Sequence, residues 1–119
     1  MTNKEILWAK TGGHCWYCGI KGSQLISKKR TRDHVVSKAN GGTNHLDNLV
    51  PCCRSCNSKK GPDSIEDLRF RIALERSGIK QKYGVSFTHT QYWALKAMGL
   101  ELPLPEIKFW FEENGYADR

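Results

Sequence analysis

Three short stretches decide the reading of this chain: Asp33-His34-Val35-Val36, Asn48-Leu49-Val50, and Cys53-Arg54-Ser55-Cys56-Asn57. They set a carboxylate beside an imidazole, an asparagine downstream, and a second asparagine directly after a cysteine pair. A matching pair, Cys15-Trp16-Tyr17-Cys18, lies upstream, so the polar residues sit between two Cys-x-x-Cys motifs. Each motif can turn two thiolates toward one side of a tetrahedral ion, the arrangement that suits Zn²⁺. The pairs are 34 residues apart, so the chain between them must fold out and return. Cys52 offers an alternative to Cys53, but Cys53 keeps the two-residue spacing to Cys56 and is the expected ligand. The expected zinc ligands are therefore Cys15, Cys18, Cys53 and Cys56. With four thiolates the ion has no open position and is structural.

Local signals place these residues on elements. Thr2 and Glu5 have capping-box spacing, which predicts a helix through Lys10. The later part of Gln24–His34 reads as a strand, Asn40-Gly41-Gly42-Thr43-Asn44 as a turn, and Leu49-Val50 as the returning strand. A brief helix from about Arg54 to Lys60 stops at Gly61-Pro62. Beyond it the chain reads as helical. One helix runs from Ser64 to about Arg76, and a second, capped by Thr88 or Thr90, runs through Met98. Pro103 and Pro105 introduce a third, with Leu104, Ile107 and Phe111 at helical spacing. The boundary falls at Gly61-Pro62-Asp63, giving a core over residues 1–62 and a helical extension over 63–119. Trp93, Phe109, Trp110 and Phe111 are expected in a core or an oligomer interface.

Charge separates the same two parts. The chain carries 19 basic and 12 acidic residues; residues 1–62 hold 11 Lys/Arg against 3 Asp/Glu, and residues 63–119 hold 8 against 9. A basic half that also carries the unusual polar residues points to a polyanionic partner, nucleic acid above all. Arg30, Arg32 and His34 would share one strand face and bring guanidinium to a phosphate, and Lys59 and Lys60 would do likewise. No apolar run is long enough to span a bilayer, which needs about 20 residues. The expectation is a cytoplasmic, intracellular protein whose paired cysteines bind metal rather than form disulfides.

The segment from Cys15 to Gly61 resembles the HNH endonuclease family, the ββα-metal nucleases. The likeness is carried by Asp33-His34, Gly41-Gly42, Asn48-Leu49 and Cys53-Arg54-Ser55-Cys56-Asn57-Ser58-Lys59-Lys60-Gly61. It implies an α+β fold: a small ββα-metal core of one β-hairpin plus a helix, here stapled by a four-cysteine zinc site and followed by the C-terminal helices. It further implies divalent-metal-dependent hydrolysis of DNA phosphodiesters. By this resemblance His34 is the general base, and Asp33 and Asn57 hold the catalytic Mg²⁺ or Mn²⁺. Asn48 keeps the loop and His34 in place. Asn57 stands where the family name has its final histidine, which exchanges a nitrogen ligand for an oxygen and favours hard ions. The implied partner is DNA, with a homodimer or a protein partner engaged through the C-terminal helices. The alternative is a zinc-stabilised nucleic-acid-binding module without catalysis.

Overall fold

The computed structural model describes residues 2–116. They form two compact units, one of residues 2–64 together with 108–116 and the other Ile65–Ile107.

The first unit is built around an antiparallel hairpin. Helix α1 (Asn3–Ala9) starts with the expected capping box. Thr2 Oγ1 accepts from the Glu5 amide, and the Glu5 carboxylate accepts from the Thr2 amide. Its buried side carries Leu7 and Trp8, and the Trp8 indole N–H donates to the Thr31 carbonyl at 3.0 Å. That bond fixes α1 against strand β1 (Arg30–His34), which pairs with β2 (Leu49–Cys53) in a register from Arg30↔Cys53 to His34↔Leu49. All five β2 residues are buried, so β2 is the inner strand of the hairpin. The hairpin loop turns at Gly41 and Gly42. Gly41 has φ +89°, and a Cβ on Gly42 would stand 1.7 Å from the Val36 carbonyl oxygen, so only glycine fits there. Helix α2 (Arg54–Lys60) leaves β2 without a linker, capped by the Cys53 sulfur, which accepts from the Cys56 amide at 3.5 Å. Hairpin and helix make the expected ββα core.

The C-terminal segment departs from the sequence reading. Residues 101–109 are not helical, and among the described residues the only helix after the prolines is the short α6 (Trp110–Glu113). Pro103 and Pro105 push the residues before them toward extended backbone, which removes the helix that the spacing suggested. Phe109 and Phe111, two residues apart, are both buried in the first unit. The Phe111 ring stacks on Trp16 at 4.7 Å, and the amides of Trp110 and Phe111 donate to the carbonyls of Tyr17 and Trp16. The segment from Lys108 therefore belongs with the core rather than with a helical extension. Phe111→Ala should lower stability by about 3–5 kcal/mol, the usual cost of deleting a fully buried aromatic ring. Chemical denaturation reads this directly.

The second unit holds α3 (Ile65–Ser77), α4 (Ile79–Tyr83) and α5 (His89–Ala97). Gly78, at φ +72°, ends α3 and begins α4, a short helix that the sequence did not announce. Phe70, Leu74 and Ile79 form its core, with Phe87, Tyr92, Leu102 and Leu104 packed on them. Thr88 caps α5, and His89 is the first helical residue, its Nδ1 2.6 Å from the Asp67 carboxylate. Trp93 is more than half exposed, so it is not a core residue. Among the described residues no helix is long and apolar enough to cross a membrane.

Candidate functional site

The four expected cysteines converge. The sulfurs of Cys15, Cys18, Cys53 and Cys56 all lie within 4.8 Å of one another, and Cys52 is outside the group. Cys18 and Cys53 sulfurs are 3.7 Å apart, close to the roughly 3.8 Å edge of a sulfur tetrahedron with ~2.3 Å zinc–sulfur bonds. The donor set and its spacing fit a structural zinc. The first pair sits on a knuckle closed by Cys15 N–H donating to the Ile20 carbonyl, and the second spans the junction of β2 and α2. His14 is not a competing ligand. Its Nδ1 lies 2.8 Å from the Gly19 carbonyl, and its ring stacks on Trp110. Cys52 is fully buried.

Asp33 and His34 are neighbours on β1 and so face opposite ways. Asp33 points inward and is nearly inaccessible. Its carboxylate accepts from the Tyr17 hydroxyl at 2.5 Å and pairs with the Lys60 ammonium at 3.2 Å. Lys60 is itself fully buried and also donates to the His34 carbonyl at 3.2 Å. A buried charge is tolerated only when paired and hydrogen-bonded, and each of these two groups supplies that condition to the other. Burial first, and then the nearby Asp33 charge, holds the Tyr17 hydroxyl protonated and therefore a donor.

His34 is half-buried on the other face, with Nε2 2.8 Å from Asn44 Oδ1. With Oδ1 facing the ring, the tautomer that completes this hydrogen bond is the one protonated at Nε2, which leaves Nδ1 open. Asn48 does not touch His34. Its Oδ1 accepts from the Val36 amide, and its Nδ2 donates to the carbonyls of Val36 and Thr43. These three bonds close the loop that carries Asn44.

Asn57 lies on the first turns of α2, beside β1. Its Nδ2 donates to the Arg32 carbonyl and to Thr31 Oγ1, both at 3.0 Å. The Arg32 carbonyl accepts only, which identifies the nitrogen end and leaves Oδ1 as the atom able to meet a cation. Asn57 is thus held against the strand that carries Asp33. A carboxylate has about four lone-pair positions, so Asp33 retains acceptor capacity beyond its two donors. A carboxylate and an amide oxygen are the hard donors that Mg²⁺ and Mn²⁺ take.

The basic residues sort differently from the sequence expectation. Arg30 spends its guanidinium on the carbonyls of Gly22 and Leu25, at 2.8 and 2.6 Å, so it braces a loop instead of facing a phosphate. Lys60 is internal, as described. Arg32 is exposed and, with Asn44, His45 and Thr31, lines an open cleft of about 810 Å³. Lys28 and Arg54 flank Thr31, Asn57 and Ser58 around a second hollow of about 340 Å³. Cationic side chains therefore border the Asp33–His34 strand on both sides.

The family model of the HNH endonuclease matches residues 15–63. These residues are an HNH endonuclease domain. The CRISPR-associated endonuclease Cas9 of Corynebacterium diphtheriae is 36% identical over 73 residues, which cover 53% of this chain and 6% of that protein. The crystal structure of the Type II-C Cas9 enzyme from Actinomyces naeslundii superposes with a TM-score of 0.50 at 22% identity, over 80% of this chain and 10% of that one. That likeness is one of fold. The chain thus spans a small fraction of both proteins. Within the HNH domain, sequence reasoning missed Tyr17, Lys60 and Asn44. Nothing in the sequence marks Tyr17 inside its metal knuckle, and Lys60 reads there as a phosphate contact. Asn44 looked like turn chemistry, and only its place two residues after Gly42 hinted that its side chain had a fixed direction.

Proposed function

We propose that this chain is a divalent-metal-dependent endonuclease that hydrolyses DNA phosphodiester bonds, leaving 5′-phosphate and 3′-hydroxyl ends. The reading rests on the HNH family match over residues 15–63 and on Asn57 being tied to the strand that carries both Asp33 and His34. Asn57 is tied to the strand through the carbonyl just before Asp33. In the proposed reaction His34 takes a proton from water at Nδ1, with Asn44 holding Nε2–H and so the tautomer and aim of the ring. Asp33 and Asn57 would hold Mg²⁺ or Mn²⁺, which supplies charge neutralisation at the phosphoryl oxygens and the leaving 3′ oxygen. Asn48 keeps the loop closed. Arg32, Lys28 and Arg54 contact backbone phosphates on either side of the scissile bond. Zinc at the four cysteines is structural, and DNA is the partner.

A second reading, a zinc-stabilised module that binds DNA without cutting it, draws on one observation: Asp33 is already engaged by Tyr17 and Lys60. Supercoiled plasmid incubated with the zinc-loaded protein and Mg²⁺ or Mn²⁺ separates the two. The nuclease converts it to nicked or linear product, whereas the module leaves it supercoiled at any metal concentration. Asn44→Ala should reduce cleavage by roughly 10–100-fold, as loss of a group orienting an active imidazole commonly does. Its zinc content should not change.

A further inference from the structure

Each half of the four-cysteine cluster sends one donor to Asp33. Tyr17 stands between Cys15 and Cys18, and its hydroxyl donates to the carboxylate at 2.5 Å. Lys60 lies four residues after Cys56 on α2, whose first turn is capped by the Cys53 sulfur, and its ammonium meets the two carboxylate oxygens at 3.2 and 3.4 Å. Asn57, the other proposed ligand of the catalytic ion, directly follows Cys56. The Tyr17 side chain is packed as well as hydrogen-bonded. Its ring packs edge-on to Phe109 at 5.3 Å and to Phe111 at 6.5 Å, and its carbonyl accepts from the Trp110 amide. The geometry of the first cysteine pair is therefore transmitted to the carboxylate through one packed side chain and a single hydrogen bond.

We infer that Tyr17 is a positioning residue through which the four-cysteine metal site sets the orientation of Asp33, so that the structural ion and the catalytic ion are energetically coupled. This rests on the proposed nuclease reading and deepens it. The zinc cluster becomes a determinant of how tightly the catalytic centre holds its divalent ion. A hydrogen bond to a ligating carboxylate fixes which lone pair faces the ion, and losing such a support commonly weakens metal affinity by roughly 10–100-fold. Coupling of this kind is reciprocal. Occupancy at Asp33 must in turn be felt at the sulfur cluster, whatever the order in which the ions are added.

The test uses the full chain and Tyr17→Phe, which keeps the ring and its packing and deletes only the hydroxyl. The variant is expected to retain zinc at the wild-type ratio and to melt cooperatively, its midpoint lowered only as the loss of one buried hydrogen bond requires. Its Mg²⁺ requirement for half-maximal plasmid cleavage should rise about 10-fold or more, with KM for DNA unaltered. In Co²⁺-substituted protein, Mg²⁺ should shift the cobalt–thiolate absorption bands of the wild type, and this shift should vanish in Tyr17→Phe. Wild-type Mg²⁺ requirement and an undiminished band shift in a zinc-replete Tyr17→Phe protein would overturn the inference. If the wild type shows no cleavage dependent on His34, the nuclease reading falls by itself. The coupling is then judged on Asp33→Asn, which must shift the cobalt bands in wild-type background and leave them unmoved when Tyr17 is already Phe; unmoved bands in both overturn it.

Discussion

His34→Ala is expected to lower Mg²⁺-dependent plasmid cleavage by about 10²–10⁴-fold, the range that a positioned general base contributes. Zinc content, melting behaviour and DNA affinity should stay at wild-type values. The side chain is half-buried and its ring makes one hydrogen bond, to Asn44, so its deletion removes chemistry and little packing. The neighbouring groups are held independently. Lys60 bonds the His34 carbonyl, not its ring, and Asn48 bonds only the loop backbone. A residue that merely stabilised the fold would show its loss in the melting curve first. Equal cleavage by His34→Ala and wild type would remove His34 from the mechanism.

The contrast between Asp33 and His34 shows what a sequence can and cannot carry. The adjacency of the two residues and the strand that bears them were legible, because period-two alternation and the turn at Gly41-Gly42 are local properties. The capping box at Thr2 and the stop at Gly61 were legible for the same reason. The partners of Asp33 were not. Tyr17 and Lys60 lie 16 residues before it and 27 after it, and no local pattern links residues that meet only when the cysteine pairs close. Lys60 was misread because lysine is almost always solvated, and its burial becomes acceptable only once a specific carboxylate is opposite it. The C-terminal prolines misled for a different reason. Leu104, Ile107 and Phe111 fit a helical period, but Phe109 and Phe111 fit a period of two equally well. The choice between them was made by Trp16 and Tyr17, nearly a hundred residues away.

Removing the metal from the four-cysteine cluster should have the largest effect of all. Structural zinc in small modules supplies apparent folding free energy on the order of 10 kcal/mol, comparable with the whole stability of an ordinary domain, about 5–15 kcal/mol. The first unit has one two-stranded hairpin, and such a hairpin is marginal by itself. Both ends of its design pass through the cluster. The Cys15–Cys18 knuckle carries Trp16 and Tyr17, on which the C-terminal aromatics pack, and Cys53 and Cys56 join β2 to α2. Cys15→Ala, or exhaustive chelation, is therefore expected to abolish cooperative unfolding of this unit and the near-ultraviolet dichroism of Trp16. Re-adding Zn²⁺ should restore both after chelation but not in the variant. Cys52→Ala is the discriminating control. Cys52 is as buried as Cys15 yet lies outside the sulfur cluster, so its loss should cost only the packing of one small side chain and leave one zinc per chain. If Cys52→Ala instead releases the metal while Cys53→Ala keeps it, the ligand register is shifted by one residue. The α2 cap and the placement of Asn57 would then have to be redrawn.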